Sequence, residues 1–346
     1  MSNNLQKYFP MIRSREEILC EIKEKENLKK IYEGWNLEQQ EEFLDFCTGV
    51  RGVKLLYDSF FKEIMNPENV PERLEEVLSL IFKQKVRILK VLPNDSSRIA
   101  DESSLLIMDI VVELVDGSIV NVEVQKIGYA FPGQRSACYS ADLLLRQYKR
   151  LKNRKGKKFS YRDIKNVCTI VFFEKSTREF HVFPNDYIHN IKPKSDTGIE
   201  IELLQEFFFI PLDIFRDIRQ NKGISNRLEA WLTFLGEDDP EEITKLLETY
   251  PEFKELYQDV YRMCQNTEKV MEMFSEELRI LDHNTVEYMV DEMQKEIDGL
   301  QGQLAEKERE AAEKLAEKEK EAAEKLAEKD EVIAALERQL AEVSGK

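Results

Sequence analysis

Leu105-Leu-Ile-Met-Asp109-Ile-Val-Val112 begins the stretch that decides the fold, which continues through Val115-Asp116-Gly117 to Ile119-Val-Asn121-Val-Glu123-Val-Gln125. In its last segment, apolar and polar residues alternate strictly. Because strand side chains alternate between two faces, the acid and amides share one face and the valines the other. An acid within an apolar strand is costly to bury unless it is paired or binds a metal ion. The stretch therefore predicts a β-hairpin with one acidic face.

The length of the turn sets which residues of the hairpin face each other. A two-residue Asp-Gly turn would pair Asp109 with Val124, and a one-residue slip would place the acids in the core. A three-residue loop over residues 115–117 pairs Asp109 with Glu123 and puts Gly117 in the left-handed position. Opposed acids, with Cβ atoms about 5 Å apart, repel each other unless a cation lies between them. We predict this geometry; the alternative is an exposed polar face, which antiparallel sheets commonly have.

The order Asp109 and then Glu123-Val-Gln125 resembles the signature of the PD-(D/E)XK nuclease superfamily. Within it, the chain resembles the bacterial recombination-promoting nuclease or transposase-like group, which has Glu-x-Gln where the superfamily usually has Glu-x-Lys. Two further segments match, Tyr57-Asp-Ser-Phe-Phe61-Lys62 and Phe131-Pro-Gly-Gln-Arg135-Ser-Ala-Cys-Tyr139. The similarity covers approximately residues 50–190.

The resemblance implies an α/β fold with a restriction-endonuclease-like αβββαβ core. The corresponding segments are a helix at Arg73–Phe82, a strand at Val86–Leu92, the hairpin, a helix at Gly133–Leu151 and a strand at Val167–Phe173. We expect Glu179–Phe183 and Gln205–Phe209 to be strands that extend the sheet.

The resemblance also implies a metal-dependent DNA endonuclease, linked to recombination or mobile elements, with Mg²⁺ (or Mn²⁺) as its cofactor. Asp109, Glu123 and Gln125 are the candidate catalytic residues. Asp109, Glu123 and the carbonyl of Val124 are the candidate metal ligands. Gln125 stands where a lysine would orient the attacking water, and a glutamine neither carries charge nor accepts a proton. A catalytically degenerate DNA-binding or scaffold protein therefore remains the alternative.

Helical residues near the hairpin offer further candidates. The superfamily often adds a glutamate from the first helix, for which Glu75 and Glu76 are available, although either also suits a solvated helix surface. Asp58 and Lys62 match the group's upstream motif, but spacing assigns them no role.

The second helix is predicted to be basic along one face. Its candidate nucleic-acid-binding residues are Arg135, Tyr139, Arg146, Lys149, Arg150 and Lys152. Spacings of three and four residues link Arg135, Tyr139, Asp142, Arg146 and then Lys149 or Arg150. The opposite, apolar face is predicted to consist of Ala137, Ala141, Leu144, Leu145, Tyr148 and Leu151. Arginine suits phosphate because its planar group donates two hydrogen bonds at once. For Arg146, a surface salt bridge with Asp142 is an equal alternative.

Composition excludes several other classes of protein. The chain has 346 residues and a formal net charge of −16, so its basic run at residues 146–158 is a reasonable DNA contact. The N-terminus lacks a signal-peptide core and no window approaches about eighteen apolar residues, which favours a cytoplasmic protein without a membrane span. Five cysteines without CxxC spacing and three scattered histidines argue against disulfides or zinc. No phosphate-binding GxxxxGK[ST] loop suggests a nucleotide cofactor.

Composition and the predicted helices and strands divide the chain into four parts. Residues 1–50 form a helical extension, 51–215 the nuclease-like domain, 216–300 a helical region and 301–346 a charged helical repeat. The repeat has a period of eleven, starting at Leu304. A solvated single helix is the alternative there, but Leu326, Ile333 and Leu340 recur every seven residues. We therefore expect a coiled coil that makes the protein a homo-oligomer.

Overall fold

The computed structural model describes residues 4–93, 108–127 and 132–280, together with the single positions 297, 304, 307, 309 and 336. The chain divides into two compact units, Met1–Asn284 and Thr285–Lys346, and every element below belongs to the first. The coiled coil predicted for residues 301–346 lies outside the described residues, apart from those isolated positions.

Helices surround one mixed sheet. The helices are α1 (Asn4–Tyr8), α2 (Arg15–Glu24), α3 (Glu26–Gly34), α4 (Leu37–Cys47), α5 (Asp58–Ile64), α6 (Pro71–Phe82), α7 (Pro132–Lys155), α8 (Arg178–His181), α9 (Leu212–Lys222), α10 (Arg227–Gly236), α11 (Pro240–Thr249), α12 (Phe253–Met263) and α13 (267–280). The strands are β1 (Ile88–Leu92), β2 (Ile110–Leu114), β3 (Ile119–Ile127), β4 (Val167–Lys175), β5 (His189–Ile191) and β6 (Gln205–Pro211).

The sheet has the strand order β1-β2-β3-β4-β6-β5. Strands β1, β2 and β3 are antiparallel neighbours, whereas β3, β4 and β6 run parallel. Helix α7 connects the parallel strands β3 and β4, as such a crossover requires. The predicted αβββαβ core is confirmed, with α6, β1, β2, β3, α7 and β4 in that order.

The hairpin register is the predicted one. Ile110 pairs with Val122 and Val112 with Val120, so the same register places Asp109 opposite Glu123. The loop is closed by a hydrogen bond that the Gly117 N–H donates to the Leu114 carbonyl, at 2.9 Å. Gly117 has φ of +90°. The three-residue loop with a left-handed glycine is therefore confirmed.

Gly117→Ala is expected to lower the free energy of unfolding by about 1–2 kcal/mol, because a Cβ disfavours the left-handed conformation. The added Cβ would also lie only 3.1 Å from Cγ of Lys165. Urea denaturation of the full chain measures the change. Gly133→Ala is the matched control, since a Cβ at Gly133 meets nothing within 4 Å. Equal stability of Gly117→Ala and the parent would contradict the role given to the turn.

The two faces of the hairpin pack against different parts of the protein. The even-numbered residues Ile110, Val112, Val120, Val122 and Val124 join the main core. That core also includes helices of the N-terminal and C-terminal regions, from Leu5 to Phe274. The odd-numbered face packs against α7, where a small cluster contains Val111, Ile119, Tyr139 and Leu143. The acidic face is therefore covered rather than exposed, which contradicts the alternative of a solvated face.

Helix α7 does not present the predicted apolar face to the sheet. Its buried residues are Ser136, Tyr139, Ser140, Asp142, Leu143, Gln147 and Leu151, whereas Ala137, Ala141 and Leu145 are exposed. The reason is the polarity of the sheet face beneath it, which carries Asn121, Glu123, Gln125 and Thr169. A polar surface is best covered by small and hydrogen-bonding side chains, so helical periodicity alone selected the wrong face.

The strand predicted at Glu179–Phe183 is also wrong. This segment contains the short helix α8, in which only Phe180 is buried, while Val182 and Phe183 after it are 72% and 54% exposed. The sheet position beside β4 is taken by β6, which begins at Gln205 as predicted. The edge next to β6 is formed by β5, which pairs antiparallel with it. Among the described helices, none is long and apolar enough to cross a bilayer.

Candidate active site

Asp109 and Glu123 meet where β2 begins and β3 passes beside it. The Asp109 N–H donates a hydrogen bond to Oε1 of Glu123 at 3.3 Å, and the Val124 N–H donates to Oδ2 of Asp109 at 2.8 Å. These contacts follow from the register, which sets the two residues directly across from each other. The structure thus brings together the two acids that the sequence predicted.

Both carboxylates are removed from solvent. Asp109 is 9% exposed and Glu123 is 2% exposed. Burial, and then the nearby charge of Asp109, raises the pKa of Glu123 well above its ordinary value. A positive ion beside both carboxylates would reverse this effect, since an opposite charge favours the ionised form.

Helix α5 adds two side chains that the sequence could not place. Nζ of Lys62 lies 2.9 Å from Oδ1 of Asp109. Asp58, one turn earlier, is half-buried, and desolvation together with the charges of Asp109 and Glu277 raises its pKa to about 8. Burial alone would lower the pKa of Lys62, but the nearby acids Asp109, Asp58 and Glu123 together outweigh it, so the pKa is raised and the ammonium stays charged.

The position of α5 is fixed at its first turn. Both the N–H and the hydroxyl of Ser59 donate to Oε1 of Glu277 in α13, at 2.7 and 2.9 Å. Phe60, Phe61 and Ile64 hold the same helix in the main core. The spacing Asp58-x-x-x-Lys62, one helical turn inside a matched segment, was the signal available in the sequence.

Gln125 lies two residues beyond Glu123 on the same face and is 4% exposed. Within the part of the chain that the structure describes, neither its amide oxygen nor its amide nitrogen has a hydrogen-bond partner. Buried polar atoms are normally paired, so an unpaired buried amide beside two carboxylates indicates a group meant for a ligand or water.

These residues fit a divalent cation. Among the described residues, no group of three or more histidine, cysteine or acid side chains is arranged to hold a metal ion. Mg²⁺ needs fewer, since it is usually bound through one or two carboxylates, with waters and substrate phosphate as the other ligands. Asp109 and Glu123 would supply that pair, since the carboxylate of each lies within hydrogen-bonding distance of the other strand's backbone.

At the start of α7, Arg135 and Tyr139 face this site. Nε of Arg135 donates to the Tyr139 hydroxyl at 2.7 Å. Burial, and then the charge of Glu123, raises the pKa of Tyr139. The charge of Arg135 in turn lowers the pKa of Glu123, against the larger effect of burial, so all three groups share one electrostatic environment.

Residues 55–289 match the model of a family described as PD-(D/E)XK nuclease family transposase. The chain belongs to this family. A comparison with curated proteins gave no match, and neither did a comparison with solved structures. Family membership confirms the resemblance seen in the sequence, and the observed sheet is consistent with the nuclease fold.

For a PD-(D/E)XK nuclease family transposase, DNA is the implied substrate. Apart from Arg135 and Tyr139, the four other predicted DNA-binding residues fall into two groups. Arg146 pairs with Asp142 at 2.6 Å and donates to the Pro93 carbonyl at 3.0 Å. Arg150 pairs with Glu113 of β2 at 2.8 Å. Both arginines thus have structural partners, and the salt bridge considered for Arg146 is present.

The remaining two residues of that set point away from the sheet. Lys149 and Lys152 are exposed, and Nζ of Lys152 donates to the Tyr148 hydroxyl at 2.7 Å. Contact with DNA stays a prediction for all six residues.

Three other charged residues near the motif have structural partners elsewhere. Glu75 accepts a hydrogen bond from the Ile88 N–H at 2.7 Å, and Glu76 pairs with Arg227 at 2.6 Å. Lys126 follows Gln125 but points to the opposite face, where its Nζ lies 3.1 Å from the centroid of the Tyr57 ring. Lys126 is therefore no substitute for the missing motif lysine.

Proposed function

We propose that this family member is a Mg²⁺-dependent DNA endonuclease that hydrolyses phosphodiester bonds in recombination or in the movement of mobile elements. The observation that carries the proposal is the meeting of Asp109 and Glu123 in a buried site beside Lys62. A merely structural pair of acids would be expected to avoid this arrangement, because burial of like charges is unfavourable.

Asp109 and Glu123 are the residues that would hold the ion, with the carbonyl of Val124 as the third proposed ligand. When bound, the ion supplies polarisation of the scissile phosphate and a lower pKa for the attacking water. The amide of Gln125 orients that water through its oxygen, which accepts a hydrogen bond but takes no proton.

Lys62 supplies the positive charge that Gln125 lacks. Its ammonium lies 2.9 Å from Oδ1 of Asp109, and the acids around it keep it protonated. A fixed cation next to the reacting phosphate stabilises the charge that develops in the transition state. In this proposal the lysine of the motif is replaced by one from α5, which approaches the same site from another element.

Arg135 and Tyr139 position the substrate. Arginine binds phosphate through two parallel hydrogen bonds, which fixes orientation as well as adding affinity. The contact between Nε of Arg135 and the Tyr139 hydroxyl holds the guanidinium near the beginning of α7. A phosphate bound there would lie near Glu123, on which Arg135 already acts electrostatically.

Incubation of the purified full chain with supercoiled plasmid and Mg²⁺ tests the proposal. We expect nicked and then linear DNA, and we expect a chelator to stop the reaction because the acids need the ion. Mn²⁺ should replace Mg²⁺, since both prefer oxygen ligands. Cleavage that persists in excess chelator, or intact plasmid with both ions, would contradict the proposal.

A DNA-binding protein without catalysis is the second candidate, and the neutral Gln125 favours it. In that case the chain would bind plasmid but leave it intact, with oligomerisation through the C-terminal helix. A gel-shift assay beside the cleavage assay separates the two functions.

A further inference from the structure

A cluster of three aromatic residues, of which Tyr161 is exposed and the others are half-buried, lies towards the other end of α7, away from the candidate active site. It consists of Tyr148 in α7 and of Phe159 and Tyr161 in the segment after it. The rings of Tyr148 and Tyr161 are nearly parallel, at 13° with centroids 6.0 Å apart, and Phe159 lies edge-on to both. Tyr161 is 74% exposed, so its ring is available to another molecule.

Local hydrogen bonds fix the turn that carries Tyr161. The hydroxyl of Ser160 accepts a hydrogen bond from the Arg162 N–H, and Asp163 accepts one from the Ser160 N–H. Asp163 also pairs with Lys155 at the end of α7. An exposed ring that is ordered before binding loses little conformational entropy when a ligand stacks on it.

The cluster lies within the most basic part of the chain. Residues 146–165 contain ten lysines and arginines and one acid, Asp163, in a protein with a formal net charge of −16. The exposed members of this run include Lys149, Arg154, Lys157 and Lys158. Such a local excess of positive charge attracts a polyanion.

A groove of about 630 Å³ adjoins Tyr161. Arg162, Lys165 and Asn166 line it, together with the acids Asp116 and Glu202. Asp116 is already bound by the N–H and the hydroxyl of Ser118, and Glu202 accepts from the Asn166 amide at 3.5 Å. The volume lies within the range of cavities that bind small organic groups, so a nucleobase would fit.

We propose that Tyr161 and this groove bind an unpaired base of single-stranded DNA, while the lysines of residues 149–158 contact its phosphates. Aromatic rings stack on any base, and basic grooves follow the backbone, which is the pattern of single-strand binding sites. A duplex would contact only the lysines, because its bases are stacked on one another. The inference rests on the proposed function in one respect only, namely that the protein binds DNA.

The geometry of α7 connects this surface with the candidate active site. Tyr148 lies nine residues after Tyr139, which is about 14 Å along a helix that rises 1.5 Å per residue. A strand bound at Tyr161 would therefore pass along α7 towards Arg135. The substrate class is then DNA in which a single-stranded stretch lies a few nucleotides from the cleaved bond.

Binding measurements on the full-length Asp109→Asn variant test this inference without any need for cleavage. The probes are a labelled oligo(dT) and a duplex of equal length, at one salt concentration. Tyr161→Ala should weaken oligo(dT) binding by about tenfold or more, as loss of one stacked base does, and change duplex binding less than twofold. Phe183→Ala is the matched control, because Phe183 is also an exposed aromatic residue (54%) but lies outside the basic run.

Tyr161→Trp provides a direct readout of stacking. This substitution should retain the affinity for oligo(dT), and the new indole fluorescence should be quenched on binding. The native Trp35 and Trp231 are 9% and 2% exposed and give a constant background.

Equal losses for both probes with Tyr161→Ala, no loss at all, or an unbound oligo(dT) would each overturn the inference. Plasmid cleavage by the wild-type chain is measured separately. Failure of that assay would leave a positive stacking result intact, so the two proposals can fail independently.

Discussion

Asp109→Asn is expected to reduce plasmid cleavage by more than about 100-fold while DNA binding stays within a few-fold of wild type. Asparagine keeps the shape of the side chain, and its oxygen can still accept the hydrogen bond from the Val124 N–H. It removes the negative charge that would hold the ion. Loss of an outer partner of a metal ligand costs about 10–100-fold, so loss of a direct ligand should cost more. Timed cleavage of supercoiled plasmid in Mg²⁺ measures the effect.

Asp186→Asn is the matched control for this variant. Asp186 is an exposed carboxylate outside the hairpin, α5 and α7. Its cleavage rate should equal that of wild type. A folded Asp109→Asn protein that cleaves at more than a tenth of the wild-type rate would contradict the assignment of Asp109 as a metal ligand. Equal residual cleavage in every variant would instead identify a contaminating nuclease.

Lys62→Met should lower the cleavage rate by about 10²-fold, the effect of removing one preorganised electrostatic group from a reacting centre. Lys62 forms an ion pair with Asp109 at 2.9 Å, and Gln125 cannot replace its charge. Lys62→Arg should retain part of the activity, because it keeps the charge. Thermal unfolding of each variant must be measured alongside, since Lys62 also pairs with a buried carboxylate.

Moving the lysine back into the motif gives the sharper test. The double variant Lys62→Met with Gln125→Lys should recover part of the lost activity, because lysine and glutamine extend from β3 towards the same site. A structural role for Lys62 would predict no recovery from a change at Gln125. Activity of Lys62→Met within fivefold of wild type would show that the site needs no such charge, and the proposed role of α5 would be abandoned.

The hairpin was predictable because its information is local. Strand alternation fixes which side chains share a face, and the parity of the loop fixes the register. Asp109 opposite Glu123 and the left-handed Gly117 followed from these two rules alone. The segments of α6, β1, α7, β4 and β6 followed from the family resemblance together with their apolar patterns.

The faces of α7 were not predictable in the same way. Helical periodicity separates polar from apolar residues but does not say which side meets the sheet. Here Ser136 and Ser140 are buried and Ala137 and Leu145 are exposed, because the surface under the helix is itself polar. The strand predicted at Glu179–Phe183 was wrong because strand propensity does not say which segment pairs with β4. In the structure β6 occupies that position.

The sequence by itself determined the hairpin, its register, the pair of acids and the family, since each depends on residues close together in the chain or on a recognisable motif. Only the tertiary structure decided that the acidic face is buried under α7 and that Lys62 reaches Asp109. Forty-six residues separate Lys62 from Asp109, and the packing of α5 against the core and Glu277 brings them together. Spacing along a chain does not encode such a contact, because it depends on how distant elements pack.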